Sequence, residues 1–131
     1  MAKPEPSMDL WLEEAKKSEH ADQCGMFLVH NGIVRSTAKA QVRKGEDKPP
    51  VAQVDFSYDA KGVEEAIADA LTWDGIYYVK VWLNEGVLDV GQSIMYVMIG
   101  GDIRPRVVDA LTKLVGHIKN DLVVEREIYV E

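Results

Sequence analysis

The chain has 131 residues, 47% of them hydrophobic, and 15 Lys and Arg against 22 Asp and Glu give it a net charge of −7. This is room for one domain with a real core, it excludes two large domains, and its charge disfavours a general DNA or RNA binder unless the cations gather in one place. No apolar run approaches the roughly 20 residues that cross a bilayer, and the opening MAKPEPSMDLWLEEAKK lacks the apolar centre of a signal peptide, so a cytoplasmic protein is expected. A single cysteine, Cys24, and scattered histidines at 20, 30 and 117 leave neither a disulfide scaffold nor a metal-ligand spacing.

Residues 1–8 carry Pro4 and Pro6 and read as a flexible tail, leaving residues 9–131 as the domain. Asp9 can cap a short helix through about Lys17, with Glu13 and Glu14 early and Lys16 and Lys17 late, as the helix dipole favours. Gly25 to Arg35 is apolar on both alternating faces and predicts a buried strand. The charged stretch from Ser36 to Pro50 breaks that pattern and predicts a mobile loop. Its basic bias, from Arg35 to Lys48, amounts to five cations against Glu46 and Asp47; it serves solubility or closes over an anion.

VAQVDFSY (51–58) alternates like a half-buried strand, and Val63, Ile67, Ala70 and Leu71 recur at helical spacing. IYYVKVWL (76–83), a turn at Asn84-Glu85-Gly86, the short piece VLDVG and SIMYVMI (93–99) make the middle of the chain strand-rich. Asp102 can cap a last helix reaching about Asn120, with Pro105 in its first turn and Val107, Leu111, Leu114, Val115 and Ile118 as its apolar stripe. A closing strand sets Val123, Glu125 and Glu127 opposite Val124, Arg126 and Ile128. The order α, β, β, α, β, β, α, β predicts a single-domain α+β fold.

Several separated pieces resemble the large subunit of molybdopterin synthase, from about Trp11 to Glu127. WLEEAKK with a Gly-led strand closing in GIVR resembles that family's opening, and VDFSY its second strand. NEGVLDVGQS, through Gly86, Leu88, Val90 and Gly91, resembles its Gly-x-Leu-x-Val-Gly-x-x-Ser segment, with Ser93 one position early. Gly-Asp-Ile-Arg stands where the family has Pro-His-Arg, and HIKNDLVVERE where it has Leu-Lys and then Trp-Lys-x-Glu. The resemblance implies an α/β-hammerhead-like fold and conversion of a cyclic pyranopterin monophosphate to molybdopterin. Sulfur would come from a thiocarboxylated, ubiquitin-like small subunit, in a heterotetramer built on a homodimer, with no metal or other cofactor. It assigns substrate binding to Arg35 and Arg104 and catalysis to Lys119 and Arg126.

Arginine suits a phosphate because its planar fork donates two parallel hydrogen bonds, whereas a lysine amine can be driven neutral by burial or neighbouring cations and then act as base or nucleophile. His30 is either a satisfied strand histidine or a pocket-lining residue that helps bind substrate. Cys24 reads as a small residue at a strand entrance. The chain departs from the family at Ile103, which removes an imidazole, at Glu125, which replaces a tryptophan, and at Arg126, which replaces a lysine. An alternative follows from those departures: a non-catalytic paralogue that binds an anionic ligand or the small subunit's tail in a regulatory role. Arg104 and Lys119 lie on one predicted helix about 22 Å apart at about 1.5 Å per residue, so a shared substrate implies a pocket built by two subunits.

Overall fold

A computed structural model describes residues 3–130. Helix α1 (Met8–Lys16) is followed by a 3-10 turn (Ala21–Gln23), strand β1 (Met26–Ile33), a short helix α2 (Lys39–Lys44), β2 (Val51–Tyr58), α3 (Ala60–Ala70), β3 (Ile76–Leu83), β4 (Gly86–Asp89), β5 (Ser93–Gly101), α4 (Arg104–His117), a π turn (Ile118–Leu122) and β6 (Val123–Tyr129). The α+β class expected from the sequence is observed. Among the described residues the strands form two antiparallel three-stranded sheets, ordered β1-β5-β3 and β4-β2-β6.

β5 is central in its sheet, and its uninterrupted apolar run follows from burial of both faces. Met95, Val97 and Ile99 point into the main core with Phe56, Leu88, Val107, Leu114 and Ile118. Met98 points the other way, into a smaller cluster with Trp11 and Ala15 of α1, flanked by Phe27, Tyr78, Trp82 and Tyr96. The first sheet is thus sandwiched between α1 and the main core, and α3 and α4 complete the core with Val63, Ala66, Ala70, Val107, Ala110 and Leu114.

Four expectations are corrected. Ser7, not Asp9, caps α1, its hydroxyl accepting from Leu10 N–H at 3.3 Å. Residues 3–7 are not a loose tail: Lys3 Nζ donates to Tyr58 Oη at 2.8 Å and to Leu83 O at 2.6 Å, and Asn84 Oδ1 accepts from Lys3 N–H at 2.8 Å. Residues 1 and 2 of that segment lie outside the described residues.

Asp102 does not cap α4; its carboxylate accepts from Ile103 N–H at 2.6 Å and pairs with Arg106 at 2.8 Å, while Ile103 holds the capping position without a side-chain bond. The stretch 36–50 contains α2, which ends at Gly45 in the left-handed region (φ 68), and Val51 N–H closes the base of the loop on Ser36 O at 2.7 Å. α2 buries none of its own residues, so no apolar stripe announced it.

Candidate functional site

The Gly86 to Gly91 segment shapes the ground on which the site stands. Gly91 has φ +92, a conformation open to glycine, and its N–H donates to Val34 O at 2.8 Å while Val34 N–H donates to Gln92 O at 3.0 Å. This reciprocal clamp fixes the backbone just before Arg35. Arg35 then turns back, its Nε donating to Thr37 O at 3.1 Å, and the chain continues into α2, where Lys39 and Arg43 are four positions apart and share one face.

Across from them the last helix changes character. α4 passes after His117 into the π turn that carries Lys119, a local insertion of the kind that re-aims side chains at functional sites. Ile118 beside it is fully buried and anchors the turn. β6 completes the wall. Its pairing with β2 sets Glu125 opposite Phe56 and Glu127 opposite Val54, so both carboxylates share the inward face of those buried residues.

These elements enclose a cleft of ≈ 60 Å³, room for a few water molecules, lined by Arg35, Lys39, Arg43, Lys119, Glu125 and Glu127 over an apolar floor that includes Val34, Val54 and Ile94. Four cations against two carboxylates give the cleft a net charge of +2 in a chain of net −7. Lys39 forms an ion pair with Glu125, whose side chain is 6% exposed. Lys39 N–H also donates to Glu127 Oε2 at 2.9 Å, and Tyr129 Oη donates to Glu127 Oε1 at 3.0 Å. The second oxygen of Glu125, Oε1, is buried without a hydrogen-bond partner.

Burial pushes the Lys119 amine below its ordinary value of 10.5; Glu125 opposes that shift, while Lys39, Arg43 and Arg35 add to it. His30, on β1, is held below its ordinary 6.5 by burial and by the charge of Lys119, which leaves its imidazole neutral at pH 7. A larger concavity of ≈ 630 Å³ lies elsewhere, between the 3-10 turn and β3, but its ionisable lining is Glu19, His20, Asp74 and Tyr77, with no lysine or arginine to hold an anion. Among the described residues no three His, Cys, Asp or Glu side chains converge on a point that could hold a metal.

The structure therefore brings Arg35 and Lys119 into one cleft, with His30 close enough for its charge to be coupled to Lys119. It does not bring Arg104 or Arg126 there. Arg104 is the exposed first residue of α4, at the far end from Lys119. Arg126 is on the outer face of β6, paired with Asp55 at 3.2 Å. Sequence reasoning missed Lys39, Arg43 and the inward position of Glu125; the one signal that could have pointed to the first two is the net positive charge of the 35–48 segment. No helix is long and apolar enough to cross a membrane among the described residues.

The fold is shared with molybdopterin synthase from Staphylococcus aureus, with a TM-score of 0.73 at 15% identity over 97% of this chain and 88% of that one. It is likewise shared with molybdopterin cofactor biosynthesis protein E from Burkholderia multivorans, with a TM-score of 0.70 at 17% identity over 97% and 86% of the two chains. A third likeness is to a chain in the complex of subunits 1 and 2 of the molybdopterin-converting factor from Helicobacter pylori, with a TM-score of 0.64 at 18% identity over 95% and 81%. No curated protein matches. At such identities these likenesses speak for the fold, and the family rests on a separate comparison, in which the model of the MoaE protein family matches residues 7–121. That match covers most of the chain and agrees with the resemblance read from its motifs: the chain belongs to the MoaE family.

Proposed function

We propose that the chain serves molybdenum cofactor biosynthesis as the large subunit of a molybdopterin synthase, converting a cyclic pyranopterin monophosphate to molybdopterin with sulfur from the thiocarboxylated tail of a small subunit. Family membership and the likeness to a subunit of a two-subunit molybdopterin-converting factor support the role and the small partner. The observation that carries the chemistry is the cleft, where a half-buried lysine with a lowered pKa stands beside Arg35 in a net-positive pocket.

Substrate and sulfur donor are both anionic, so an acidic protein needs such a local reversal of charge to hold them. Arg35 binds the phosphate through its fork. Lys119 has the more accessible neutral amine and exchanges protons with the reacting groups. His30, neutral at pH 7, offers a hydrogen bond without adding charge. Arg104 contributes from the second subunit of a homodimer, since its own subunit keeps it far from the cleft. Arg126, facing outward, is left with no direct part in catalysis. The reaction is assigned to the cytoplasm.

The test is to mix the purified protein with the cyclic precursor and a thiocarboxylated small subunit and to assay the dithiolene product. Product from the native chain and none from Lys119→Ala, with the fold retained, is the expected result. Binding of the small subunit without any product would favour the second reading, a non-catalytic regulatory paralogue. One observation speaks for that reading: the Glu125 carboxylate already occupies the cleft.

A further inference from the structure

The larger concavity, ≈ 630 Å³, is of a size that holds small molecules, and it shares no lining residue with the cleft. Two tied turns form its walls. On one side, between α1 and β1, Ala21 N–H donates to Ser18 O at 3.2 Å and Gln23 N–H to His20 O at 3.0 Å. On the other, the link from α3 to β3 turns at Gly75, with φ +77; its carbonyl accepts from Asp102 N–H at 2.9 Å, while Ile76 N–H donates to Trp73 O at 3.2 Å. Backbone bonds thus set the shape of both walls. The lining is the reverse of the cleft's: two carboxylates, Glu19 and Asp74, one from each wall, with no lysine or arginine beside them, and the aromatic and apolar surface of Trp73, Tyr77, Leu71 and Ile76. The His20 ring tilts against Tyr77 at 6.4 Å, and its Nε2 lies 3.9 Å from Glu19 Oε2. Trp73 already attracts one ammonium group of this chain, since Lys113 Nζ of α4 lies 4.1 Å from its ring centroid.

We propose that this concavity binds an organic diammonium ion, an alkyl diamine or polyamine whose ammonium groups pair with Glu19 and Asp74 while its methylene chain lies on Trp73, Tyr77 and Leu71. A point cation such as a metal ion would use the carboxylates alone and leave the rings and the apolar surface without a part. An alkyl monoammonium would use the rings and one carboxylate, and leave the acid of the other wall unpaired. A chain with a cation at each end uses both walls and the surface between its ends, gaining ion pairs, cation–π attraction and apolar burial together. The site is separate from the cleft, so it stands or falls independently of the proposed sulfur transfer.

Calorimetric titration of the full chain with cadaverine, pentylamine and magnesium ion, at an ionic strength of about 0.15 M, tests it. Cadaverine and pentylamine share a chain and differ by one ammonium; cadaverine and magnesium ion share a charge and differ by the chain. The native protein is expected to bind one cadaverine per chain, and the other two at least about tenfold more weakly. Glu19→Gln combined with Asp74→Asn should weaken cadaverine at least about tenfold. Glu64→Gln combined with Glu65→Gln removes the same charge from exposed acids of α3 outside the concavity, and should leave the affinity within about twofold. All four positions are exposed, so the fold should survive in both double variants. In nuclear magnetic resonance spectra cadaverine should shift the indole N–H signal of Trp73 and leave those of Trp11 and Trp82, which belong to the smaller cluster, in place. No measurable binding of cadaverine by the native chain overturns the proposal, as does magnesium ion or pentylamine bound as tightly as cadaverine. Equal losses in the two double variants also overturn it, because they would show only the general attraction of an acidic chain for a cation.

Discussion

Arg104 and Lys119 cannot meet within one subunit if both serve one small substrate. Arg104 opens α4 and Lys119 follows its last residue, His117, in the π turn; over the intervening helix, about 1.5 Å of rise per residue separates them by roughly 20 Å. An arginine side chain spans only a fraction of that. A two-fold dimer resolves the conflict when Arg104 of one subunit reaches the cleft of the other. The perturbation is to co-express Arg104→Ala and Lys119→Ala chains, each inactive alone. With random pairing half of the dimers are mixed, and each mixed dimer has one intact and one doubly damaged cleft, so about a quarter of the wild-type activity should return. The assay is dithiolene formation by mixture and parents at equal total protein, with the mixed dimer verified through two affinity tags. A verified mixed dimer with no recovered activity refutes the shared site, and so does full activity in a monomer.

Lys119→Met should raise stability at neutral pH, because burial makes the folded chain bind the Lys119 proton less readily than the unfolded chain does. That burden is present in full below the lowered folded pKa and fades as pH rises toward the ordinary 10.5, so chemical denaturation should show the gain of the variant over the native chain shrinking on that approach; a gain independent of pH would contradict the assignment. Arg126→Lys should leave kcat/KM within about twofold, because the side chain pairs with Asp55 on the outer face of β6, and a larger change in either direction would show that it reaches the reaction. Leu114→Ala, at a position 1% exposed in the main core, should cost about 3 kcal/mol and lower Tm by about 10 °C; a loss below about 1 kcal/mol would mean that α4 does not pack as described.

What could be read from the sequence is what local pattern encodes. β5 was legible because a strand buried on both faces is apolar at every position, and α3 because Val63, Ile67 and Ala70 recur at helical spacing. α2 was not, since what holds it is Lys39 reaching carboxylates some 88 positions away in the chain. The π turn was read as ordinary helix because its apolar spacing continues through Ile118. Arg35 and Lys119 are picked out by resemblance, and helical spacing adds only that Lys119 borders the apolar stripe of the last helix; charge alone gives neither preference over Lys113 or Arg106. The cleft itself depends on which face of β6 turns inward, and a strand with carboxylates on one face and valine, arginine and isoleucine on the other does not declare that.

The register of β6 against β2 is therefore what sets the charge of the site. Neighbouring residues on a strand face opposite ways, so Glu125 and Arg126 cannot both face the cleft, and a slip of one position would exchange them. In the observed register Phe56 pairs with Glu125 and Asp55 with Arg126, which puts the arginine beside an acid on the outer face and the glutamate among cations on the inner one. Each charge thus meets its opposite on its own side. In the slipped register Arg126 would face Arg35, Lys39, Arg43 and Lys119 while Asp55 lost its partner, so like charges would be opposed on the inside and an acid stranded on the outside. A bulge between Val51 and Gln53 and the bond from Val130 N–H to Pro50 O at 2.9 Å hold the far end of the pair in place. Electrostatics and backbone pairing select the same register, and that register gives the cleft two carboxylates, one of which, Glu125, pairs with Lys39.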